Sequence, residues 1–144
     1  VFPQLARVLE KQGVLAEQGG TTIEKTDAEY QKHLDNILSF KKLAEEKDAA
    51  LLFVLAPYDN NKVIPFLEKE NIAYVDLNPI FDTYSKVTPL IWSKDGHYNI
   101  AGNHLVGLIV SKFIIENGLV EMSGAEERLE EIEKEIEDEF GSIL

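Results

Sequence analysis

Asp95 and His97 are the residues of this chain whose types and spacing offer chemistry, and they flank Gly96 in the run WSKDGHYNIAGNHLVG, Trp92 to Gly107. In a turned or extended segment, residues two apart can project to one side. The Asp95 carboxylate can then orient the His97 imidazole through one ring nitrogen and leave the other to face a cleft. An imidazole held in that way is a general base that takes a proton from a hydroxyl and returns one to a leaving group. Gly96 frees the backbone to turn between them. Asn99 stands where a helix cap belongs, directly before a long apolar run. The same residues also make ordinary surface structure, since Asp-Gly is a common turn dipeptide and Asn a favoured cap.

The elements that must position this pair read as alternating helices and strands. Thr26 and Glu29 form a capping box, and Tyr30, Leu34, Ile37, Leu38 and Ala44 then recur at helical spacing, so a helix is expected to run to about Asp48. Ala50 to Ala56 is an unbroken apolar run, the pattern of a strand covered on both faces, and Pro57 stops it. Lys62 to Glu70 reads as a short helix and Ile72 to Leu77 as a second buried strand, which implies a parallel crossover. Tyr58, Asp59, Asn60 and Asn61 follow the first strand and Asp76 ends the second, at the edge where open α/β sheets hold ligands; turn formation and capping are their plainer roles. Chain order brings Asp95 to Asn99 to that same edge. Pro79 to Tyr84 is expected as a helical turn and Val87 to Trp92 as a short extended piece.

The helix from Ile100 carries Leu105, Val106, Leu108, Ile109, Val110, Phe113, Ile114 and Ile115 around most of its circumference, so it needs covers on two sides, and Asn117 and Gly118 stop it. Ser123 and Glu126 form a second capping box, after which Leu129, Ile132, Ile136 and Phe140 make a narrow apolar stripe on an acidic helix ended by Gly141. That stripe can pack within the chain or against a second copy. Near the start, Phe2, Leu5, Val8 and Leu9 suggest another short helix with a glycine-marked exit at Gly19 and Gly20.

Taken together, the helix from Tyr30, the strand ALLFVLAP, the strand IAYVDLNP and the block DGHYNIAGNH resemble the carboxyl-terminal part of the SGNH hydrolases, the GDSL-type esterases and acyltransferases, over roughly Tyr30 to Gly118. The resemblance implies a partial three-layer α/β/α fold of flavodoxin-like type with parallel strands. It makes His97 the general base and Asp95 the orienting carboxylate of a Ser-His-Asp triad, and it makes the substrate of the parent protein an acyl ester of a carbohydrate or lipid. The family's Gly-Asp-Ser and Gly-x-Asn-Asp blocks do not occur here, and the six serines all fall in helical, loop or cap contexts. The chain therefore supplies His and Asp without the Ser nucleophile and is expected to be inactive alone. Residues 1–118 are expected to form this partial domain and residues 119–144 an acidic amphipathic helical extension. The other functional reading is a non-catalytic α/β assembly module, a homo-oligomer joined through an open sheet edge or the tail helix.

Composition bounds the remaining classes. The 144 residues, 44% hydrophobic and 28% charged, suit a globular chain with one core. A net charge of −12, with nine acids against two bases from Gly124 to Leu144, excludes nucleic-acid backbones as partners. Leu105 to Ile115, the longest apolar run, is interrupted by Ser111 and Lys112, so no membrane span is expected. A start at Val1 without methionine suggests processing or cutting. Zero cysteines exclude disulfides and thiolate chemistry. Asp59, Asp76, Asp95 and His97 could serve a hard metal ion only by folding together. No pair lies at a ligand spacing, so neither a metal nor a cofactor is expected.

Overall fold

The computed structural model describes residues 27–141, which form a mixed α/β structure with five helices and a two-stranded parallel sheet. The expected helix near Phe2 and the Thr26 side of the first capping box lie outside these residues. Helix α1 runs from Asp27 to Glu46 and stops where Asp48 takes a left-handed conformation (φ 51°). Strand β1, Leu52–Leu55, pairs in parallel with β2, Ala73–Asp76, in the register Leu52 to Ala73 and Leu55 to Asp76. Between them lies α2, Val63–Lys69, with Pro65 in its first turn, where a missing amide costs no hydrogen bond. Lys41 of α1 donates to the carbonyl of Glu70 at 2.7 Å and ties α1 to the end of α2.

Side chains alternate along the strands, so the sheet serves two apolar clusters. Leu55 meets Ile37 of α1, Leu67 of α2 and Ile72 in one cluster, with Phe53 and Tyr74 packed against it. Val75 and Leu77 belong to the other, larger one, with Leu52 packed against it. That cluster also takes Phe81 and Tyr84 of α3 (Asn78–Tyr84), Leu105 and Leu108 of α4 (Ile100–Glu116), and Ile132, Ile136 and Phe140 of α5 (Ala125–Phe140). The apolar circumference of α4 thus finds its second cover in α5. The tail stripe is spent inside the chain, with Ile132 fully buried.

Three local expectations fail for reasons of placement. The unbroken apolar run of β1 is covered on both faces only in part: Leu52 packs on the larger cluster, but Val54 on the same face is 41% exposed in this narrow two-stranded sheet. Leu38 points outward with Phe40 and Leu43, so the core-facing stripe of α1 narrows around Ile37. The box of Ser123 and Glu126 does not form: Gly124 occupies the N-cap with φ 72°, and its carbonyl accepts the first helical bond from Arg128. Ser123 is thereby left one position outside the helix. Among the described residues no helix is long and apolar enough to cross a membrane.

Candidate functional site

The segment carrying Asp95 and His97 is a tight loop with a fixed base and an open tip. At the base, Ile91 and Tyr98 form an antiparallel bridge, Trp92 N–H donates to the His97 carbonyl at 2.8 Å, and Asn99 N–H donates to the Leu90 carbonyl at 3.0 Å. Asn99 also caps α4 as its sequence position predicts, accepting from Gly102 N–H at 2.8 Å, while its amide donates to the Pro89 carbonyl at 2.6 Å. Gly102 permits this closeness, since a Cβ there would lie 2.1 Å from the Leu90 carbonyl oxygen. Below the loop, the Tyr98 ring stands 5.0 Å from that of Phe81.

At the tip, Gly96 adopts φ 73°, and its N–H donates to the Trp92 carbonyl at 3.2 Å. The turn brings the predicted pair together. Asp95 Oδ1 accepts from the His97 backbone N–H at 3.1 Å and lies 3.4 Å from His97 Nδ1. The second separation exceeds the about 2.7–3.2 Å of a formed N–H···O bond, so the carboxylate primarily closes the turn and stands within reach of the ring. Both side chains are open to solvent, His97 at 81% and Asp95 at 56% exposure. Among the described residues no serine hydroxyl bonds to His97; Ser39, for one, donates to the Asp35 carbonyl within α1.

Beyond the strands' carboxyl ends the polar residues bond to one another. Asp76 Oδ1 accepts from Asn78 N–H at 3.2 Å and from the side-chain amides of Asn78 and Asn60, each at 3.1 Å. Asn78 also donates to the Tyr58 carbonyl at 2.8 Å, and Asp59 Oδ1 accepts from Asn61 N–H at 3.1 Å. These are the turn and cap roles, and they occupy Asp59 and Asp76. Burial first, and then the charge of Tyr58, push the Tyr98 hydroxyl above its ordinary pKa. Two shallow depressions run along α1, lined by Glu29, Lys32, His33 and Asn36 and by Asn36, Ser39, Phe40 and Leu43; neither includes Asp95 or His97.

Sequence reading did not single out His104. Its Nε2 lies 3.0 Å from Glu135 Oε1 and 3.9 Å from Glu139 Oε2, across the packed seam of α4 and α5. The i, i+4 spacing of the two glutamates was visible in the sequence, but which helix they would face was not. No family model, curated protein or solved structure matches this chain.

Proposed function

We propose that this chain carries the acid–base half of an SGNH-type ester hydrolase or O-acyltransferase, with Asp95 orienting His97 and the serine nucleophile not supplied by this chain. The observation that carries the reading is the Asp95–His97 turn, whose carboxylate lies 3.4 Å from Nδ1 of a ring open to solvent. The parallel pairing of β1 and β2 and the apolar clusters on both faces of the sheet agree with part of a three-layer flavodoxin-like fold. In this mechanism Nε2 of His97 accepts the serine proton as Oγ attacks the acyl carbonyl. The imidazolium then returns a proton to the leaving alcohol, while Asp95 stabilises its charge. The substrate is an acyl ester of a carbohydrate or lipid.

Hydrolysis of p-nitrophenyl acetate tests both parts. Residues 1–144 alone should show no turnover that depends on His97, and turnover abolished by His97→Ala would place the nucleophile within the chain. Joined to a nucleophile-bearing segment, the protein should lose roughly 10²–10⁴-fold in kcat with His97→Ala. Unchanged kcat sinks the assignment.

A second reading, an assembly module, draws on the outward apolar residues Phe40 and Leu43 of α1 and Val54 of β1. The buried stripe of α5 is not its contact surface. Light scattering of Phe40→Glu/Leu43→Glu beside the parent chain decides it: dissociation of an oligomer supports assembly through α1, and a monomer in both cases removes it.

A further inference from the structure

We propose that the seam between α4 and α5 is a binding site for a borderline divalent transition-metal ion of the Zn²⁺ class, held by His104, Glu135 and Glu139. The nearest imidazole and carboxylate atoms of the three all lie within 4.8 Å of one another. A tetrahedral Zn²⁺ with bonds of about 2.0–2.2 Å spaces its ligand atoms roughly 3.4 Å apart. The separations of His104 Nε2 from Glu135 Oε1 and Glu139 Oε2, 3.0 and 3.9 Å, bracket that value. The glutamate side chains are partly exposed, so rotation about their own bonds can take up these differences.

The ligands stand on elements that are already fixed. Glu135 and Glu139 are one helical turn apart and share a face of α5. Their neighbours Ile136 and Phe140 are buried in the core, as is Leu105 beside His104. The His104 ring lies 6.2 Å from the Phe140 ring, which supports the imidazole from within. At 37–50% side-chain exposure the three groups are open enough for an ion to enter and for water to complete its coordination. Two carboxylates and a neutral imidazole bring a charge of −2, which a dication cancels. The imidazole favours Zn²⁺ and its neighbours over Mg²⁺ or Ca²⁺, which prefer oxygen ligands alone. Because the set joins residues 31 positions apart, the bound ion acts as a clamp that holds α5 on α4.

The test uses the full chain, stripped with chelator and dialysed. Titration calorimetry with ZnCl₂ should show one ion per chain, and at a hundredfold excess over Kd the melting temperature should rise by roughly 9 °C. His104→Ala and the pair Glu135→Gln/Glu139→Gln should each abolish both responses while leaving the metal-free fold intact, and Mg²⁺ should have no effect. In the unaltered chain, Zn²⁺ should shift the ¹⁵Nε2 resonance of His104, a readout that needs no variant. Absence of heat and of a shift in melting temperature, a Zn²⁺ response retained by His104→Ala, or an unmoved His104 resonance would each overturn the site and leave an interhelical hydrogen bond.

Discussion

His97 and His104 stand on opposite sides of the cap that starts α4, and each has a carboxylate within ion-pair distance, but the two settings are built differently. The partner of His97 is Asp95, two positions back in the same turn, and both side chains are open to water. The partners of His104 come from α5, across a seam closed by Leu105, Ile132, Ile136 and Phe140. A local pair is fixed by a few dihedral angles and is therefore easily made and easily moved. In the seam the side chains are half-exposed, but the two helices that carry them are packed together and cannot shift unless the core does. The loop is suited to chemistry completed by an approaching surface, and the seam to stability.

The contrast can be broken from the seam outward. Ile132→Ala removes a fully buried side chain between α4 and α5 and should cost about 4 kcal/mol in denaturant unfolding, the largest effect of the series. Gly102→Ala drives a methyl against the backbone carbonyl of Leu90, which cannot yield as a side chain would, and should cost about 3 kcal/mol. It should also broaden the amide resonances from Ile91 to Asn99, because the base of the loop rests on that contact. Asn99→Ala removes the cap of α4 and the bond to Pro89 and should cost about 1 kcal/mol. At the tip, Asp95→Ala and His97→Ala should change stability by less than about 0.5 kcal/mol, since the side chains are exposed and uncrowded. A large loss there would show the loop to be structural.

Alkaline pH sharpens the same contrast. Burial acts to lower the pKa of Lys112, but its hydrogen bond to Glu133 and the charge of Glu116 outweigh burial and raise it above 10.5. Burial likewise raises the hydroxyl of Tyr84, which packs edge-on against Phe140. Both groups hold their protons more tightly when folded. Their contribution is complete below the unfolded pKa values, near 10 to 10.5, and is lost as pH rises through the folded ones. Stability should therefore fall from about pH 10 upward, and Lys112→Met should flatten part of that slope.

The sequence made the elements legible because their signals are local. The Pro57 stop, the helical spacing around Ile37 and the cap at Asn99 each depend on a few neighbouring residues, and each appears where expected. An α4 apolar on all sides demanded a second cover, and the stripe of α5 was the candidate. The failures depend on what lies opposite. Val54 is exposed because nothing reaches over it, Ser123 lost its cap when Gly124 took a left-handed turn, and His104 gained partners only through the docking of α5. In the candidate site the neighbours Asp95 and His97 were legible, while the open exposure of the tip was not, because exposure belongs to the surface around a residue.

The proposed catalytic role rests on Asp95 choosing the proton position of His97, and long-range ¹H–¹⁵N NMR of the chain at about pH 9, where imidazoles are neutral, observes that choice directly. We expect His97 to carry its proton on Nδ1, toward Asp95, and Asp95→Ala to return it to Nε2, the nitrogen that free imidazoles in water favour. A His97 ring protonated on Nε2 in both proteins would contradict the assignment.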